Sequence, residues 1–166
     1  MRLAVVVLSG PQIGLIVVAF FGALWAAVGA TVFRSGQRIG VTVAAAIVAI
    51  LLIIQSPRIG ASGGYFHAGA YIYSVVFEVI AIFLTIVLIR RFADRSFIPP
   101  VIAIIVGLHF IGLLLATGQD IFIWLAVAMC LFGALATMAS RTLRLPIAGF
   151  GSALALWTSA IKMIVG

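Results

Sequence analysis

YIYSVVFEVIAIFLTIVLI (71–89) is an unbroken apolar run with one charge, Glu78, near its centre. A polar turn, RRFADRSF (90–97), separates it from a second run, VIAIIVGLHFIGLLLATG (101–118), with His109 near the middle. A bilayer-spanning helix needs about 20 mostly apolar residues, so each run is long enough to cross. Working outward, runs of the same kind predict six spans, near 12–33, 39–55, 69–89, 98–117, 121–139 and 146–165. The expected fold is all-α: a single polytopic transmembrane helical bundle over 1–166, with both termini outside.

Composition supports this reading. The chain is 66% hydrophobic and 8% charged, with a mean hydropathy of +1.40. Soluble domains are about 45–50% apolar and about 25% charged, so a water-soluble fold would expose far more apolar surface than such proteins carry. A net charge of +7 suggests nucleic acid only until the basic residues are located, because they lie between the runs and form no patch. Arg34 and Arg38 follow the first span, Arg90, Arg91 and Arg95 the third, and Arg141 and Arg144 the fifth. Seven of the ten basic residues thus share one side, which the positive-inside rule makes cytoplasmic. The second span is the shortest, and the charge pattern argues for it, since removing it would put the first two basic loops on opposite sides.

Proline marks the proposed limits. Pro11, Pro57, Pro99, Pro100 and Pro146 fall at or just outside span ends, where proline is tolerated. Residues 1–10 read as an extension or an early turn of the first helix, not as a cleaved signal, because Ser9-Gly10-Pro11 interrupts the short apolar start. The outer loop QSPRIGASGGYFH (55–67) reads as a flexible turn. A three-plus-three inverted repeat fits the span count, but the halves share no convincing sequence similarity.

Glu78 and His109 are the residues that carry chemistry. A central carboxylate costs about 2.5–3.5 kcal/mol on an insertion scale, which neighbouring Val, Ile, Leu and Phe offset at about 0.3–0.6 kcal/mol each. The span still inserts, with one costly residue that should face the bundle interior or a cavity. Glu78 precedes Asp94, at the loop centre, by 16 residues, and His109 follows it by 15. In an antiparallel hairpin rising about 1.5 Å per residue, the two side chains reach the same depth. Tyr71, Ser74, Glu78, Ala81 and Thr85 form a polar-to-small stripe, and Gly112 and Ala116 share the face of His109, where small residues permit close approach. Two readings stand side by side. One is a proton relay or an ion or ligand site, since a carboxylate and an imidazole can exchange a proton near neutral pH. The other is a buried ion pair or hydrogen bond that locks the hairpin.

Weaker signals lie at the outer surface. Lys162 reads as a snorkelling cation on a face with Ser152, Ala155 and Ser159, and Asp120 is a candidate partner for it. Asp94, among three arginines, reads as a solvated loop charge. Trp25, Trp124 and Trp157 are interfacial anchors or packing residues. Small-residue stripes, Gly22–Ala26–Ala30 and Ala126–Cys130–Ala134, are helix-packing signals. The lone cysteine, Cys130, excludes an internal disulfide and Cys-rich metal or redox motifs, and reads as a packing residue. His67 and His109 differ in depth by about 15 Å on helical rise, too far apart for two haem ligands. No nucleotide, zincin or hydrolase motif is present, so no cofactor or metal is expected and an enzyme is the poorest reading.

FEVIAIFLTIVLIRR (77–91) followed by VIAIIVGLHFIGLLLA (101–116) resembles a pattern in small, uncharacterised bacterial polytopic membrane proteins. In these a mid-helix Glu precedes a Gly-x-His-Phe motif in the next span, here Gly107-Leu108-His109-Phe110. The resemblance covers roughly 76–116. It departs where members continue with Pro-Leu and this chain has Ile111-Gly112. It implies a bacterial inner membrane location and brings no activity with it.

Two functional classes follow. A small proton-linked transporter or channel using Glu78 and His109 predicts a hydrated cavity joining the pair to a surface. A structural or assembly subunit predicts a dry, closed pair and an exposed small-residue face. The expected partners are the lipid bilayer and a second copy or another membrane protein, and not nucleic acid.

Overall fold

A computed structural model of the chain describes residues 10–59 and 66–166. All regular structure among them is helical: α1 (Gly10–Gly29), α2 (Ser35–Ile54), α3 (Ala68–Phe92), α4 (Ile98–Thr117), α5 (Ile121–Met138) and α6 (Arg141–Val165). All six are long and apolar enough to cross a membrane. The chain is an all-α, multi-pass integral membrane protein. The readings of the N-terminal extension and of the glycine-rich turn rest on 1–9 and 60–65, which lie outside the described residues.

The helix ends follow local chemistry. Pro99 and Pro100 occupy the first turn of α4, where a missing N–H costs little. Gly118 closes that helix at φ 67°, its N–H donating to the Leu114 carbonyl, a left-handed cap that glycine adopts without a Cβ penalty. Two boundaries differ from expectation. α2 begins at Ser35, so Arg38 lies inside the helix and the span is full length. α6 begins at Arg141, which places Pro146 inside a helix and not at its start. Pro146 removes the hydrogen bond to the carbonyl of Thr142, but Thr142 is exposed at the helix entrance, where the loss is least costly.

The packing is inside-out relative to a soluble protein. Among the described residues thirteen of the 22 buried apolar ones are alanine, while Phe20, Phe77, Phe83 and Leu115 face outward. This suits a bilayer, where close helix approach and not apolar burial holds helices together. α1 crosses α6 where Gly29 meets Gly149 backbone to backbone and Gly22 lies under the Trp157 ring, whose Nε1–H donates to the Ala19 carbonyl at 3.3 Å. α4 and α5 meet where a Cβ on Gly107 would lie 2.7 Å from Cys130 Sγ, and one on Gly133 2.9 Å from the Pro100 carbonyl oxygen. Cys130 is a packing residue, as expected. The face it shares is Ala126–Cys130–Gly133, and Ala134 is exposed, a correction that follows from the three-residue step on a 3.6-residue helix.

Contacts divide the bundle into two blocks. α1 packs with α2, and α4 packs with α3 and α5, while α6 lies against α1, α5 and, less extensively, α4. The contact between α5 and α6 has no counterpart of similar extent between α2 and α3, so the halves do not repeat. The α3–α4 and α5–α6 turns share one end, tied by Asp94 and Arg141. Gln12, at the start of α1, reaches the Ile59 carbonyl at the other end.

Candidate functional site

α3 and α4 form the antiparallel hairpin that residue counting predicts, and its register is visible at three levels. At the α3 N-terminus the His67 N–H donates to the Ala116 carbonyl at 2.7 Å. One step inward, Gly112 sits against the Ser74 side chain with no room for a Cβ. Ser74 turns its hydroxyl back to the Tyr71 carbonyl at 2.9 Å, so its methylene makes the contact. At mid-helix His109 Nδ1 lies 3.4 Å from Glu78 Oε2.

This pair is close but not closed. The distance suits an ion pair, yet the approach misses hydrogen-bond geometry, and Nδ1 is a buried ring nitrogen without a hydrogen-bond partner among the described residues. The His109 side chain is 10% exposed and that of Glu78 is 21% exposed. Both border a cavity of about 80 Å³, room for a few waters at about 30 Å³ each. Its other walls are apolar. Phe21 and Trp25 come from α1, Phe110 and Leu113 from α4, and Leu156 from α6. The arrangement can hold one proton between an acid and a base, or offer a carboxylate to a guest in an otherwise oily chamber.

The supporting positions separate from the pair. Tyr71 and Thr85 each stand seven residues from Glu78, about 10 Å along the axis. Tyr71 packs beside Phe66. Of the predicted stripe, Ser74 serves the hairpin contact and neither Tyr71 nor Thr85 reaches the cavity. Near the C-terminal end of α6, Lys162 Nζ stands 5.6 Å from the centre of the Trp124 ring. Among the described residues it makes no ion pair with Asp120, which sits exposed at the start of α5. Trp25 and Trp157 pack within the bundle, leaving Trp124 as the exposed one.

Asp94 does more than a solvated charge. Its carboxylate accepts the Ser96 N–H at 2.9 Å and lies 3.2 Å from Arg141 Nε. Hydrogen bonding from Ser96, aided by Arg141 and Arg144, holds its pKa below the ordinary 3.8. Arg144 donates to Ser96 Oγ at 2.8 Å, and its guanidinium stands 3.6 Å from the Phe97 ring centre. These contacts pin the turn of the hairpin to α6.

Sequence reasoning missed the α1 wall. Nothing in GPQIGLIVVAFFGALW (10–25) marks Phe21 or Trp25 as neighbours of Glu78, because the contact depends on how distant helices pack. Among the described residues no group of three His, Cys, Asp or Glu is placed to hold a metal. No protein-family model, curated protein or solved structure matches this chain.

Proposed function

We propose that this chain is a small proton-linked transporter of a bacterial-type inner membrane, with Glu78 and His109 as its proton-exchanging pair and both termini outside. One observation carries the reading: an acid and a base 3.4 Å apart at mid-helix, bordering a cavity and lacking a closed hydrogen bond. A pair that served only to lock the hairpin gains most from full satisfaction, since a half-satisfied buried polar pair is costly. An ionisable group kept at that depth is expected to work. The resemblance over 76–116 supports the pairing, and the arginine-rich loops support the orientation.

Proton flux into liposomes carrying the purified protein and a pH-sensitive dye, under an imposed potential, tests it. Glu78→Gln keeps the shape and removes the titratable acid, so flux should fall at least tenfold while insertion and folding survive. His109→Gln should do the same, and the double variant should be no worse than either single one if both act in one relay. Flux that survives Glu78→Gln, or that is absent in the wild type without added substrate, removes the simple proton pathway.

A second reading, a structural or assembly subunit, draws on α2. Gly36 and Gly40 are four residues apart and face open space, the spacing that lets membrane helices approach closely. A flux-silent protein that forms a defined oligomer, dispersed by Gly40→Leu, favours this reading.

A further inference from the structure

The cavity beside Glu78 has a rim as well as walls. Val17 and Phe21, on α1, are 45% and 46% exposed while also lining it. α1 and α3 share no extensive contact, and α3 buries no residue. The opening therefore faces sideways between α1 and α3, at the depth of Glu78, ten residues into a 25-residue helix. A guest arriving there comes from the lipid.

We propose that this chamber is a lateral binding site for a cationic amine bearing an aliphatic chain. This rests on reading Glu78 and His109 as the working site. The carboxylate supplies the counter-charge, and Phe21, Trp25 and Phe110 border the same space, where aromatic rings add to the attraction for a protonated primary amine. Size sets the rest. About 80 Å³ is roughly half the 150 Å³ of a cavity that holds benzene, which is too small for a trimethylammonium head but takes a primary ammonium group, so the chain leaves through the α1–α3 opening into lipid. An anion would meet the Glu78 carboxylate. A bound cation and a proton on Glu78 compete for one charge, so each displaces the other.

Carbodiimide labelling tests the site. Dicyclohexylcarbodiimide enters from lipid and modifies intramembrane carboxyl groups, and mass spectrometry of the protein in nanodiscs counts the Glu78 adduct. Glu78 should be labelled. Hexylammonium should protect it at a concentration at least tenfold below that needed for methylammonium, and hexanol should not protect. Val17→Trp, which leaves the pair intact and fills the rim, should slow labelling at least tenfold in protein that remains monodisperse. An unlabelled Glu78, labelling that neither ammonium ion slows, or equal protection by hexanol overturns the proposal. Protection without proton flux supports the amine site and removes the relay, whereas flux without protection removes the amine site alone.

Discussion

α6 and α3 are both 25 residues long and sit at opposite extremes of this bundle. α6 is the least apolar of the six spans and the most buried, and α3 is the most apolar and buries nothing. In water that ranking would be reversed. In a bilayer the lipid already satisfies bulky apolar side chains, and what brings helices together is close approach of small ones. α6 accordingly presents Ala148, Gly149, Gly151, Ser152 and Ala155 to its neighbours, while α3 shows Phe77 and Phe83 to lipid. The single ionisable residue at mid-depth on α3 is therefore not there to build the core.

The difference between the two helices can be broken by mutation, and the largest effect belongs to α6. A side chain on Gly149 meets the backbone of Gly29 and the carbonyl of Trp25, atoms that cannot turn aside. Gly149→Leu should cost about 3 kcal/mol, the upper end for overpacking, seen as loss of monodisperse protein or a large drop in melting temperature. Gly112→Leu, which drives α3 off Ser74, should cost about 2 kcal/mol. It should also lower proton flux, because the same movement separates Glu78 from His109. A lost melting temperature with intact flux would mean that the pair is not the pathway.

A smaller effect is expected at the clamp around Asp94. The Asp94 carboxyl has a depressed pKa, so its contribution is present above the ordinary value of 3.8 and is lost as pH falls below it. Asp94→Asn should melt slightly below wild type at pH 7, and the gap should close as pH is lowered from 4 towards 2. A gap that widens with acid would show that the clamp acts through something other than this charge. The smallest change belongs to the outer face of α3. Phe83→Ala should shift stability by no more than about 0.5 kcal/mol in detergent, and a loss as large as that of Gly149→Leu would mean that α3 has a partner.

Much of this was readable from the residues alone, and the reason is geometric. Six apolar runs and alternating arginine loops define six helices, and a short turn makes α3 and α4 antiparallel. Counting from Asp94 then sets Glu78 beside His109 without further information. What could not be counted is how non-adjacent helices meet. The α1 wall of the cavity, the Asp94–Arg141 link and the position of Lys162 over Trp124 all join segments far apart in sequence. Pro146 illustrates a subtler limit, since a proline that reads as one end of a span can sit inside the helix when its cost falls at an exposed turn. Ala134 illustrates another, because a four-residue step and a three-residue step are equally helical and only packing chooses Gly133.

The bridging position of α6 has a consequence for synthesis. Of the six spans it is the last to leave the ribosome, yet it alone makes extensive contact with both blocks. Until it arrives, α1 with α2 and α3 with α4 and α5 are two separate hairpin assemblies in the translocon's lipid. The chamber beside Glu78 draws walls from both, so it does not exist until the sixth span has entered. A nascent chain halted before that point carries the acid and the base but no chamber.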